Sequence, residues 1–272
     1  MITNPHSGST DPAKAAAVER LFAERGLTLA GRTDFPDDAL PTPKALDRAK
    51  VDTAVLFAGD GTINAAICAL AEWQGAVLIL PGGTMNMLAK TLHGNADPTA
   101  IVAAAHTDHR RVGLPFVESG KNRAFVGLIV GPAASWFRAR EMVRSGRLSR
   151  LLPAIRMAWR RTFGRGIRLA GAPGFPPQVQ GAFVHAVDDH LQVAAVDARD
   201  FRSIADLGWS WIAGDWVAAH AVTERRATTL SVAERRSVLA LFDGEPVSLE
   251  PGAVMTAGRS RAQFIATIGE AA

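Results

Sequence analysis

The sequence predicts an α/β domain built on a parallel sheet, followed by a mainly antiparallel β domain that carries a helical insert. Three observations predict it. Over roughly the first 110 residues, short apolar runs alternate with helix-like runs, the pattern of strands and helices in a parallel sheet. Three of the apolar runs break directly into turns rich in Gly and Asn: Asn4-Pro5-His6-Ser7-Gly8, Gly59-Asp60-Gly61-Thr62-Ile63-Asn64 and Pro81-Gly82-Gly83-Thr84-Met85-Asn86. From Arg110-Arg111 onward the helix-like runs give way to β-like ones.

The elements of the first domain follow in order. Ile2-Thr3 is a very short first strand. Asp11-Pro12 opens a helix with Ala13, Ala16, Ala17, Leu21 and Phe22 at helical spacing, and Gly26 ends it. Leu27–Leu29 reads as a second strand, and the Pro- and Asp-rich stretch Gly31–Pro43 as a loop. Ala45–Lys50 is a short helix and Val51–Phe57 a third strand. Ile63–Leu70 is the helix after the GDGT turn. Leu78–Leu80 is a fourth strand, and Met87–Leu92 and Thr99–Ala105 are helices, the latter opened by Asp97-Pro98.

In the second domain, Val112–Phe116, Ala124–Val130, Ala182–Val187, Leu191–Val196, Ser237–Phe242 and Gln263–Ile268 are β-like. The division expected is residues 1–110 and 111–272, with the last residues free to pack back on the first domain. The insert, about Ser135–Phe163, has an apolar stripe at helical spacing. Arginines such as Arg138, Arg147, Arg156 and Arg160 surround it, with one acid, Glu141. This is either a core-facing helix with a solvated basic face or an amphipathic helix touching anionic lipid.

A chain of 272 residues, 48% hydrophobic and 21% charged, has the composition of a folded protein. One cysteine, Cys68, permits no internal disulfide and suits a reducing compartment. The N-terminus shows no signal peptide and no run is long enough to cross a bilayer, so a cytoplasmic protein with peripheral membrane association is expected. The net charge of +4 and pI ≈ 9.8 favour an anionic partner or surface. No nucleic-acid-binding module accompanies the charge, and nucleic acid is not expected as a partner. The seven histidines form no metal set, and no Gly-x-Ser-x-Gly elbow supports a hydrolase.

The GDGT turn carries the chemistry. Glycine leaves no side chain between backbone and ligand, and the N–H groups opening the next helix attract phosphate. Asn64 stands where a dinucleotide fingerprint needs its third Gly, and there is no P-loop Gly-Lys-Ser/Thr. Asp60 is the odd residue: a carboxylate beside phosphate suits a ribose hydroxyl, a metal or a metal-bound water. Asp243-Gly244-Glu245 near the C-terminus is a hairpin-turn signal by itself and a carboxylate source for base catalysis.

Taken together, the three ordered turns resemble the diacylglycerol kinase and sphingosine kinase superfamily, including its small soluble bacterial members, and the resemblance extends to the Asp-Gly-Glu. NAD kinases and phosphofructokinases share the Gly-Gly-Asp-Gly turn, of which Ala58 replaces the first Gly here. The resemblance implies an NAD kinase/phosphofructokinase-like parallel sheet and an ATP site lined by Asn4, Thr33, Gly59, Asp60, Gly61, Thr62, Asn64, Gly83 and Thr84. It implies Glu245 as general base, with Asp60 also in the catalytic site. It places Mg2+ at Asp189 with the carbonyls of Ala186 and Leu191. In that run His190 stands for a Gly, and the Gly-rich stretch usual before it is shortened.

The function implied is an ATP- and Mg-dependent lipid kinase with a diacylglycerol-like acceptor at the membrane surface; a homodimer is left open. Two alternatives stand beside it: an NAD kinase-like enzyme with a soluble substrate, and a non-enzymatic nucleotide- or lipid-binding relative.

Overall fold

The structure is a computed structural model and describes residues 1–6, 12–83, 86–135, 166–196 and 222–268. In chain order it runs β1 (Ile2–Thr3), α1 (Pro12–Glu24), β2 (Thr33–Asp34), α2 (Pro43–Arg48), β3 (Thr53–Ala58), α3 (Asp60–Ala69), β4 (Ala76–Pro81), α4 (Met87–His93), α5 (Pro98–Thr107) and β5 (Arg110–Val112). Then come β6 (Pro115–Ser119), β7 (Asn122–Ala124), β8 (Leu128–Val130), a 3-10 turn at Pro132–Ser135, β9 (Leu169–Ala170), β10 (Gly181–Val187), β11 (His190–Val196), β12 (Val222–Ala227), β13 (Thr229–Val232), β14 (Val238–Phe242), β15 (Glu245–Leu249), β16 (Val254–Arg259) and β17 (Gln263–Ala266).

The chain divides into two units, Met1–Leu114 with Arg259–Ala272, and Pro115–Gly258. The first is an α/β unit with one six-stranded sheet in the order β2-β1-β3-β4-β17-β5. Every neighbouring pair is parallel except β17–β5. The apolar runs of β3 and β4 are buried along their length, as strands covered on both faces must be. Val55, Phe57, Leu78 and Leu80 pack with Val18 and Phe22 of α1 and Ile101 and Val102 of α5. Strand alternation sends Leu56 and Ile79 to the opposite face, where they are also fully buried. The helices are capped as the sequence predicts at α5, where Asp97 accepts from the N–H groups of Thr99 and Ala100 at 2.9 and 3.0 Å.

The second unit contains two sheets, ordered β12-β11-β10-β8-β14-β15 and β7-β6-β16-β13-β9. Alternate residues of each enter one core, including Leu128, Val184, Val193 and Phe242 from the first and Val117, Leu230 and Met255 from the second. The predicted fold class, a parallel α/β unit followed by a mainly antiparallel β unit, is the one found.

Four local expectations are corrected. Leu27–Leu29 is not a strand: Leu27 and Leu29 are 42% and 39% exposed. The second strand lies instead inside the predicted loop, at Thr33–Asp34. With only two residues in β1, only two can pair, as Ile2↔Thr33 and Thr3↔Asp34. The run Val112–Phe116 is two strands, because β5 completes the α/β sheet and β6 begins a sheet of the second unit. Ala124–Val130 is likewise broken, at residues 125–127, whose N–H groups have a different acceptor, described below. Most of the predicted helical insert lies outside the described residues.

Candidate functional site

The chain leaves β1 for β2 on one side and then places β3 on the other. The strand order therefore reverses between β1 and β3, and the crevice at the carboxyl ends of these strands is where open α/β sheets bind ligands. Asn4 follows β1 and Gly59 follows β3. The Asn4 amide spans the crevice, Nδ2 donating to Thr62 Oγ1 at 2.8 Å, while its Oδ1 accepts the His6 N–H at 2.9 Å. Thr62 is buried at 8% exposure.

Gly59 is the N-cap of the ten-residue helix α3 and provides no side-chain cap. The first-turn N–H groups of a helix have no partner inside it, and this first turn, with Gly61 and Thr62, lies beside the Asn4–Thr62 bridge. Asn64 lies one turn on and accepts the Cys68 thiol at 3.6 Å.

The third turn docks onto the second. A Cβ on Gly83 would lie 2.7 Å from Gly59 Cα, and one on Gly82 2.7 Å from the Ala58 nitrogen. Glycine is required at both positions because backbone meets backbone. Asn86 sits in the left-handed region at φ 50° and ψ 43°. Its amide closes a ring with Gly83, accepting the N–H at 2.6 Å and donating to the carbonyl at 2.8 Å. The Asp60 carboxylate accepts the Met87 N–H at 3.0 Å. This bond accounts for a carboxylate at an otherwise phosphate-friendly turn: it caps the opening of α4. Nothing in the residue pattern signals that role. Thr84 lies outside the described residues.

Thr33 lies within β2, opposite Ile2, and its N–H binds the Met1 carbonyl at 2.9 Å. The adjacent Asp34 carboxylate accepts the Thr3 hydroxyl and Arg32 Nε, and these bonds hold its pKa below the usual carboxylate range.

The other predicted residues belong to the second unit. Asp188-Asp189 is the two-residue turn between β10 and β11, with Asp188 at φ 53°. Asp189 is fully exposed, its Oδ1 3.6 Å from His190 Nδ1, and Ala186 and Leu191 face each other in register behind the turn. Among the described residues, no three His, Cys, Asp or Glu side chains lie close enough to hold a metal ion by themselves. An exposed lone carboxylate nevertheless fits Mg2+, which keeps several waters and takes one or two carboxylates together with substrate phosphates.

Asp243-Gly244 is a hairpin turn with both residues at positive φ, 48° and 93°, as a type I′ turn requires. It joins β14 to β15, pairing Phe242 with Glu245. Glu245 is exposed at the first position of β15. Asp243 turns back: Oδ2 accepts from the Phe125 N–H at 2.8 Å, and Oδ1 from Val126 and Gly127 at 2.8 and 3.0 Å. These are the N–H groups at the break between β7 and β8. The motif thus forms the predicted turn, with an added carboxylate contact to residues more than a hundred positions away.

No curated protein matches the chain. Two solved structures from Bacillus anthracis str. Sterne share its fold. One, a diacylglycerol kinase, is 14% identical with a TM-score of 0.66; the other, named as a candidate diacylglycerol kinase, is 16% identical with a TM-score of 0.68. Each alignment covers 97% of this chain and 95% of the other. The family model that matches is the diacylglycerol kinase catalytic domain, over residues 1–114, the stretch that contains all three turns. Residues 1–114 are thus similar in sequence to the diacylglycerol kinase catalytic domain, the family that the turns resemble.

Proposed function

We propose that this protein is an ATP- and Mg-dependent lipid kinase that transfers the γ-phosphoryl group to a lipid hydroxyl, with a diacylglycerol-like acceptor. The observation that carries the reading is the switch-point crevice: Asn4 bridged to Thr62 beside the start of α3, where the N-cap Gly59 has no side chain, within the part of the chain that matches the kinase family model. Backbone N–H groups and the Thr62 hydroxyl are suited to phosphate oxygens.

Phosphoryl transfer also needs charge neutralisation and a proton acceptor. A divalent metal supplies the first when bound, and Asp189 is the carboxylate that would help hold it. Glu245 supplies the second. Its carboxylate takes the hydroxyl proton as the lipid oxygen bonds to the γ-phosphorus and the bond from that phosphorus to the bridging oxygen breaks, leaving ADP. The lipid is met at a membrane surface, in keeping with the basic pI. No helix among the described residues is long and apolar enough to cross a membrane.

The test is transfer of labelled γ-phosphate from Mg-ATP into a bacterial lipid extract in detergent micelles, wild type beside Glu245→Gln. A labelled lipid band that the variant makes far more slowly is the expected result, and its mobility identifies the acceptor. Nucleotide binding without labelled lipid would overturn the reading and direct attention to soluble acceptors.

A further inference from the structure

The Asp243 carboxylate is used in an unusual way for a turn residue. A type I′ turn is best served by Asn-Gly, since Asn adopts positive φ at little cost. Here Asp holds that position at φ 48° and accepts three N–H groups in succession, from Phe125, Val126 and Gly127. A carboxylate has acceptor sites for all three, whereas Asn would turn an NH2 donor toward one of them. Its own N–H adds a bond to the Gly127 carbonyl at 3.1 Å. Three consecutive N–H groups around one carboxylate form an anion nest filled from within the chain. The choice of Asp over Asn therefore serves the nest rather than the turn.

The latch joins the turn to the entry of β8, and Glu245 follows two residues after it. A general base must lie within hydrogen-bond reach of the proton it takes. We propose that Asp243 is the positioning residue for Glu245, fixing the hairpin tip so that this carboxylate meets the acceptor hydroxyl. The inference rests on the reading of Glu245 as the base. It gives Asp243 no proton to carry.

The test is a double-mutant cycle in the micelle assay, with Asp243→Asn, Glu245→Gln and the pair, measuring kcat and KM for ATP. Asp243→Asn keeps a good turn residue and weakens the latch, turning an NH2 donor toward one of the three N–H groups. A misplaced base costs on the order of 10–100-fold in rate, so kcat should fall by about that factor while KM for ATP changes by less than about twofold. On the Glu245→Gln background, followed over long incubations, the added Asp243→Asn should change the residual rate by less than about twofold, because there is no base left to position. An equal loss on both backgrounds would mean a merely structural role and overturn the proposal.

Full activity in Glu245→Gln would instead overturn the base assignment, and the proposal with it. A wild type that labels no lipid would overturn the kinase reading and the proposal together. Should Asp243→Asn fail to fold, hydrogen exchange on the wild type decides: the amides of residues 125–127 should be protected, and free exchange there would show that the latch does not form.

Discussion

The Asp60 carboxylate accepts the backbone N–H of Met87 at 3.0 Å, tying the turn after β3 to the start of α4. The bond separates two roles that the sequence leaves merged. Asp60→Ala removes the acceptor and should cost about 1 kcal/mol, the usual worth of a helix cap. That lowers the melting temperature by roughly 2–4 °C in a chain of this size. Asp60→Asn keeps an acceptor oxygen, so its melting temperature should stay near that of wild type. If the charge also serves the reaction, phosphoryl transfer by Asp60→Asn should fall at least about tenfold. Equal activity in Asp60→Asn and wild type would leave Asp60 a cap alone.

Gly83 gives a steric prediction. A methyl group there would lie 2.7 Å from Gly59 Cα, a backbone atom that cannot swing aside. Gly83→Ala should destabilise the α/β unit by roughly 1–3 kcal/mol, the range for overpacking, and weaken ATP binding by displacing the turn. Gly31 is the control, since nothing lies within 4 Å of a Cβ added there; Gly31→Ala should stay within about 0.5 kcal/mol of wild type. Thermal melts and calorimetric ATP titrations check both. A Gly83→Ala protein that melts and binds like wild type would refute the close approach.

Asn4→Asp should lower nucleotide binding while leaving stability unchanged. The new carboxylate lies beside the start of α3, where a negative charge is favourable to the helix dipole. It can accept the Thr62 hydroxyl in place of the present Asn4-to-Thr62 donation. Stability should therefore hold. The same charge repels phosphate and takes the hydroxyl that phosphate would use, so ATP affinity should fall about tenfold or more, roughly 1.4 kcal/mol. Unchanged affinity would place the nucleotide elsewhere.

What the sequence made legible was chemistry carried by backbone freedom. The glycines and Asn86 are residues that only special backbone geometry explains, so the turns could be read, and the strands between them were long and apolar enough to find. The shift of the second strand to Thr33–Asp34 could not be read, because it depends on how little of β1 is available to pair with it. Nor could β12, whose sequence Val-Thr-Glu-Arg-Arg-Ala looks like a polar loop but pairs along its whole length with β11. The roles of Asp60 and Asp243 were hidden for another reason. Both are hydrogen bonds to backbone, across 27 and up to 118 positions, and a backbone acceptor or donor leaves no residue type to recognise.

His93 supplies the pH prediction. It closes α4 at 2% exposure, with Nδ1 2.9 Å from the Thr267 hydroxyl just after β17. Burial disfavours the imidazolium and lowers the pKa from 6.5 to about 4. Between those values the unfolded chain binds a proton that the folded one refuses, so stability falls with falling pH. The contribution is complete above about pH 6.5, declines as pH drops through that value, and is gone below about 4, a loss on the order of 3 kcal/mol. His93→Gln keeps a polar group near Thr267 without titrating there. Denaturant midpoints of wild type and His93→Gln at pH 7.5 and 5 check the prediction: the gap between the two proteins should change with pH, wild type losing more on acidification. Parallel losses would mean that other groups govern the acid limb and that His93 is protonated in the folded protein.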